Sequence, residues 1–194
     1  MGAAHGDEPE SAWLMAEMRR VWLAEFSFRN VGVLLWEQVN PDGLALGQRG
    51  NGRGVDLNRN LPTQDWSADA RAPRYFPGMT PSSEPESQAL IRLIQVCRPC
   101  AILSAHSFTR YQINSNGPAR PWSEHISAIS GYPVTEDIGY PTPGCFGTYA
   151  GRELQIPTIT LEIENGLSRE KVLQIHVPAM QGAAEYWEKL NPAV

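Results

Sequence analysis

Apolar residues recur three and four positions apart in Ser11–Glu25, Glu84–Cys97 and Glu170–Leu190, and that period predicts three helices. Acidic residues near two of the starts (Glu8 and Glu10, then Glu84 and Glu86) suit the positive end of a helix dipole. Shorter helices are expected at Trp122–Ser130 and Phe146–Gln155. Apolar runs at Val31–Glu37, Ala101–Ala105 and Thr158–Ile163 read as strands. Helices alternating with mostly unbroken apolar strands predict an α/β sheet covered on both faces. Asn40–Ser83 is a long segment rich in Gly, Pro, Asn and Asp, and a loop of that length in a compact domain is usually functional.

Composition narrows the classes. A chain of 194 residues suits one domain, and 42% hydrophobic with 19% charged residues is globular rather than disordered. A net charge of −5 without a Lys/Arg cluster argues against nucleic acid as a partner. The longest apolar runs are too short to cross a membrane. Asp7, Glu8 and Glu10 leave no apolar core for a signal peptide. Three cysteines, an odd number, give no disulfide framework, so a reducing cytoplasm is expected. Cys97-Arg98-Pro99-Cys100 has C-x-x-C spacing but lacks a second ligand pair, and reads as half-buried thiols at a helix-to-strand junction. Cys145 has no evident partner.

Ligands of open α/β sheets gather at the carboxyl ends of the strands. His106 follows one apolar run, Glu162 lies at the end of another, and Asn40-Pro41-Asp42-Gly43 follows a third. His5 opens the chain where a preceding strand would end. In His5-Gly6-Asp7-Glu8 an imidazole and a carboxylate stand three apart, and zinc accepts both; a third ligand would leave one position open to water. Taken alone, that pair fits a surface turn equally well, and a lone His106 fits a structural role. In the loop, Arg49 and Asp56-Leu57-Asn58-Arg59-Asn60 offer donors suited to a carboxylate or an oxyanion. A solvated loop held by Asx turns accounts for the same composition. His125 and His176 sit in no motif and are expected on helix surfaces.

Six blocks in order carry a resemblance: His5-Gly6-Asp7-Glu8-Pro9-Glu10-Ser11, Asn40-Pro41-Asp42-Gly43, Asp56-Leu57-Asn58-Arg59-Asn60, Ser83-Glu84-Pro85-Glu86, Ser104-Ala105-His106-Ser107 and Thr160-Leu161-Glu162. From residue 2 to about 165 the chain resembles the zinc carboxypeptidase A family. The His-Gly-Asp-Glu wording and Gly139-Tyr140-Pro141-Thr142-Pro143-Gly144-Cys145-Phe146-Gly147 resemble its bacterial murein peptide amidase branch. The resemblance implies a mixed, largely parallel twisted sheet and one zinc ion per chain, held by His5, Glu8 and His106 with water in the fourth position. Glu162 matches the carboxylate that takes the water's proton and passes it to the leaving amine. Glu164 would share its strand face, and the Thr-x-Glu pattern favours Glu162. Arg49 matches the arginine that polarises the scissile carbonyl, and Asn58 with Arg59 the pair that grips a terminal carboxylate. Asp56 matches the carboxylate that orients the first zinc histidine, and Tyr140 lies near the family's mobile substrate-covering tyrosine.

The implied activity is hydrolysis of an amide beside a free carboxylate: a murein peptide cut between γ-D-glutamyl and diaminopimelate, or a C-terminal peptide. The expected partner is a small peptide, with no nucleic acid and no membrane. A zinc deacylase of N-acyl amino acids and an inactive peptide-binding module are the alternatives. Only four residues precede His5, where the family carries one or two strands. A truncated chain is therefore expected, with Gly2-Ala3-Ala4 as the end of a strand and an unpaired sheet edge.

Overall fold

The computed structural model describes residues 1–191. Five helices, α1 (Pro9–Glu25), α2 (Pro41–Leu46), α3 (Pro85–Cys97), α4 (Arg120–Ser130) and α5 (Arg169–Leu190), surround four strands, β1 (Ile102–Phe108), β2 (Gln112–Asn116), β3 (Val134–Thr135) and β4 (Thr158–Glu164). The first three helices each begin on a proline, whose missing N–H costs nothing in a first turn. The segment expected as a helix at Phe146–Gln155 is a π-helical turn over Gly147–Glu153.

The sheet order is β1-β4-β2-β3. β1 runs parallel to β4, β2 antiparallel to β4, and β3 parallel to β2, which makes the sheet mixed and largely parallel, as expected. The strands alternate apolar and polar over most of their length rather than being apolar throughout. Leu103, Ala105, Ile113, Ile159, Leu161 and Ile163 enter one core with α1, α4 and α5. The opposite face carries Ser104, His106, Asn114, Asn116, Thr160 and Glu162, since strand side chains alternate with period two. That polar face is covered by α3, the π-helical turn and the long loop, around a smaller core of Leu61, Leu90, Ile94, Phe146, Tyr149 and Ala150. Among the described residues no helix is long and apolar enough to cross a membrane.

Two expectations need correction. Val31–Glu37 is not a strand: Met1–Ala3 lies between its end and β1 and pairs with it only from Trp36 onwards. Met1 donates to Leu103 O and Ala105 N–H to Met1 O, a parallel pattern on β1 (2.8 and 2.9 Å). On the other side Gly2 N–H reaches Trp36 O, while Val39 and Asn40 N–H reach Gly2 O and Ala3 O. Among the described residues only Trp36–Asn40 thus finds a backbone partner, and residues 31–35 border an apolar groove of about 280 Å³ instead. The second correction concerns the histidines. His176 is fully buried and His125 half-buried. Val172, His176, Ala179 and Ala183 form the buried stripe of α5, so His176 falls on the core side, edge-on to Tyr132 with centroids 4.8 Å apart.

Candidate functional site

The turn after Met1–Ala3 is shaped by its own sequence. Ser11 accepts from Ala3 N–H (3.1 Å) and donates to Glu8 O (2.9 Å), pulling Met1–Ala3 onto the start of α1. Gly6 packs against α2 so closely that a Cβ there would lie 1.9 Å from the Gly43 carbonyl carbon. Ala3 takes a left-handed conformation, φ 52°. Glu10, buried beneath the turn, accepts from Ser107 Oγ (2.7 Å) and Gly166 N–H (2.9 Å), tying α1 to the ends of β1 and β4.

These constraints bring His5, Glu8 and His106 together, all buried, each with a ligand atom within 4.8 Å of the others. His5 Nδ1 lies 2.7 Å from Glu8 Oε1, and His106 Nδ1 lies 3.0 Å from Glu8 Oε2 and 3.1 Å from His5 Nδ1. His5 Nε2 meets Asp56 Oδ1 at 3.0 Å. With its proton on that nitrogen, His5 turns the Nδ1 lone pair towards a carboxylate and a second imidazole. Acceptors converging in this way call for a cation. Tetrahedral zinc, with ligands at ~2.0–2.2 Å, places them roughly 3.3 Å apart. The donor set and spacing therefore fit zinc.

The electrostatics follow from burial among charges. Burial alone would raise the Glu8 carboxyl, but the two imidazoles outweigh it and hold the group well below its usual range. Burial is likewise overcome at Asp56, which His5 and Arg49 keep ionised. Arg49 Nε donates to Asp56 Oδ2 at 2.7 Å and its Nη1 to Glu8 Oε1 at 3.3 Å. His106 is lowered chiefly by burial, while His5 is raised because Glu8 and Asp56 outweigh burial and Arg49. Two imidazoles this close cannot both be charged.

Glu162 pairs in register with His106 on β1 and with Gln112 on β2. Burial, then the Glu8 charge, push its carboxyl up to about 8. A cavity of about 740 Å³ is lined by His5, Glu8, His106, Glu162, Arg49, Asn58, Arg59 and Tyr140. Glu164 is not among its lining residues. Asp56, fully buried behind His5, does not line the cavity; it meets His5 and accepts from Arg49 and from the Asn58 N–H.

The loop is pinned rather than solvated. Asn60, also buried, donates to Pro77 O, Thr80 O and Ser83 Oγ and accepts from Glu84 N–H, so it braces the loop and presents nothing to the cavity. Asp56 caps the short helical turn Leu57–Arg59 through Asn58 N–H. Asn58 Oδ1 accepts from Phe146 N–H at 2.8 Å, leaving its NH2 without a protein acceptor among the described residues. Arg59 is buried and has no carboxylate within 4.0 Å among the described residues; its Nη1 donates to Asn58 O. The Tyr75 ring faces Arg49 (5.0 Å), Arg59 (5.5 Å) and Arg74 (5.5 Å), a π-face shared by three guanidinium groups. Tyr140 stands 6.2 Å from the Phe108 ring, with Arg71 5.3 Å from its own ring.

Sequence reading missed Glu10, Ser107, Tyr75 and the β2 amides Asn114 and Asn116. The alternation Gln112-Ile113-Asn114-Ser115-Asn116 carried the signal for β2. Tyr75 carried none, because only the path of the loop brings it to the arginines.

The zinc carboxypeptidase family model matches residues 25–138, a stretch containing Arg49, Asp56, Asn58, Arg59 and His106. Murein peptide amidase A of Escherichia coli (strain K12) is 33% identical over 174 residues, 84% of this chain and 69% of that protein. Its counterpart in Vibrio campbellii is 32% identical over 196 residues, covering 93% and 76%. The crystal structure of murein-tripeptide amidase from Escherichia coli O157 superposes with a TM-score of 0.72 at 26% identity, covering 100% of this chain and 81% of that one. This chain is a hydrolase, and it belongs to the zinc carboxypeptidase family.

Proposed function

We propose that this chain uses zinc to hydrolyse an amide bond beside a free carboxylate, and that its substrate is a murein peptide cut between γ-D-glutamyl and diaminopimelate. One observation carries the reading: Arg59, a buried guanidinium with no carboxylate partner among the described residues, lines the same cavity as the His5–Glu8–His106 cluster and Glu162. A buried cation in that state calls for an anion, and a terminal carboxylate fits its fork. The similarity to murein peptide amidases over most of the chain supports the choice of substrate. Exposed, unpaired Cys97 and Cys100 are in keeping with a cytoplasmic role in murein recycling.

In this reading His5, Glu8 and His106 hold the metal, and Asp56 fixes the tautomer and orientation of His5. A bound zinc ion supplies Lewis-acid polarisation of the scissile carbonyl and makes water acidic enough to attack near neutral pH. A cation held by Glu8 would offset the charge that raises the Glu162 carboxyl, leaving Glu162 ionised to accept the water proton and return it to the departing amine. Arg59 and the Asn58 amide bind the substrate carboxylate, Arg49 donates to the carbonyl oxygen as charge builds on it, and Tyr140 covers the bound peptide.

The zinc-loaded protein is incubated with L-alanyl-γ-D-glutamyl-diaminopimelate and free diaminopimelate is followed. Steady release supports the assignment. Turnover of ordinary C-terminal peptides without that release overturns it.

A further inference from the structure

Two guanidinium groups, Arg49 and Arg59, line the cavity, and their charges are handled differently. Arg49 is matched by Asp56 at 2.7 Å and Glu8 at 3.3 Å. Arg59 is buried with no carboxylate within 4.0 Å among the described residues. What stands beside it is Tyr75, whose ring centroid lies 5.5 Å from the Arg59 guanidinium carbon and 5.0 Å from that of Arg49. Tyr75 is not among the residues lining the cavity, so it reaches a ligand only through its neighbours.

The place of the ring is set by the backbone around it. Pro73–Tyr75 is a 3-10 turn, closed where Phe76 N–H donates to Pro73 O at 3.2 Å. Phe76 O then accepts from Asp56 N–H at 2.8 Å, which joins this turn to Leu57–Arg59, the turn that carries Arg59. Arg74 Nη2 donates to Asp7 Oδ2 at 2.9 Å, reaching the His5–Glu8 turn, although a pair this exposed adds little stability. Three consecutive residues, Arg74, Tyr75 and Phe76, therefore fasten the ring to the loops on either side.

A buried cation needs compensation, but a carboxylate beside Arg59 would neutralise it and compete with an incoming anion. An aromatic face attracts a guanidinium through its quadrupole and leaves the net charge intact. We propose that Tyr75 is the positioning residue of Arg59, its ring standing in for a counter-ion so that the guanidinium is held in place with its charge free for the substrate's carboxylate. The inference rests on the amidase reading above and names the residue that keeps its carboxylate-binding group ready. Arg49 has two carboxylates to hold it and is expected to keep its place without the ring.

The test places leucine, phenylalanine and trifluorophenylalanine at position 75. Fluorine withdraws electrons from the ring face while the packing stays nearly the same, which separates attraction for a cation from bulk. Melts and zinc content check that each variant is folded and loaded. The substrates are L-alanyl-γ-D-glutamyl-diaminopimelate and the same peptide with the carboxylate beside the scissile bond amidated. Tyr75→Leu and the fluorinated ring are expected to raise KM for the free carboxylate by roughly three- to tenfold, with kcat within about twofold, and Tyr75→Phe to restore it. The amidated peptide should not register the change, nor should an Arg59→Met background. A fall in kcat alone, an equal loss on both peptides, or a fluorinated ring that behaves as phenylalanine does overturns the proposal. If neither peptide is cleaved, the amidase reading fails, and calorimetric titration with free diaminopimelate then decides the role of Tyr75. Binding that weakens in Tyr75→Leu and recovers in Tyr75→Phe sustains it; equal binding, or none by the wild type, overturns it.

Discussion

Glu162 and Arg59 share one cavity but answer to different measurements. Glu162 is the only carboxylate of β4 that lines it, and proton transfer by a positioned carboxylate is worth about 10²–10⁴-fold. Glu162→Gln is therefore expected to lower kcat by that factor while zinc, measured by atomic absorption, stays at one per chain. Full activity in that variant would move the proton-transfer role elsewhere. Replacing Arg59 with Met removes a charge-assisted contact of about 1.5–3 kcal/mol, hence roughly 10–100-fold in kcat/KM on a substrate with a free carboxylate. Amidating that carboxylate in the substrate should cost the wild type a similar factor and cost the variant little. Ala3 holds a left-handed backbone that penalises any residue with a Cβ by about 1–2 kcal/mol. Ala3→Gly is expected to raise the melting temperature modestly, since the greater freedom of glycine in the unfolded chain offsets part of that relief; a lower melting temperature would contradict this.

Among elements, the decisive contact is between the His5–Glu8 turn and α2. Gly6 lies against the Gly43 backbone, and backbone cannot swing aside as a flexible side chain can. Gly6→Ala should force the turn away from α2 and carry His5 off Asp56. The expected result is zinc affinity weaker by at least about tenfold, read by competition with a chromophoric chelator, together with a lower melting temperature. Unchanged affinity would mean that the turn is set by Ser11 and Glu10 alone. On the polar face of β1, β2 and β4, Asn114, Asn116 and Thr160 are short or amide-bearing and leave a floor beside His106 and Glu162 on which a peptide can lie.

For the molecule as a whole, His176 ties stability to pH. It sits in the main core with neither ring nitrogen bonded, and burial pushes its pKa down to about 4, against ~6.5 in the unfolded chain. Below 6.5 the unfolded state therefore binds a proton that the folded state refuses, so this group makes stability fall with pH from 6.5 down to about 4, and level off below that. The loss amounts to about 3 kcal/mol over that window. His176→Phe should flatten that slope in denaturant melts taken between pH 7 and 4; an undiminished slope would place the acid sensitivity in other groups. Metal loading adds a second linkage. A ligand that binds only the folded state stabilises it by mass action, and protons compete for the His5 and His106 lone pairs. Chelation should lower the melting temperature at pH 7.5, and by less as the pH falls.

Read alone, the chain made three of its features legible: the long helices, through their three-four spacing; β1 and β4, through short apolar runs; and the ordered motifs around His5, Glu8, His106 and Glu162. Each depends on neighbours a few residues away, so each is written locally. Tertiary structure alone decided the rest. Val31–Glu37 has the composition of a strand and is none, because strand structure needs a partner along its full length and Met1–Ala3 reaches only its end. His176 looked like a surface residue and is core, since a lone polar residue does not reveal which stripe of its helix is buried. Glu162 and Glu164 are equivalent by strand parity, and only the bounds of the cavity separate them. The grouping of His5 and Glu8 with His106, a hundred residues away, likewise arises only when the sheet folds, because a metal site is set by distances in space and the chain records only distances along itself.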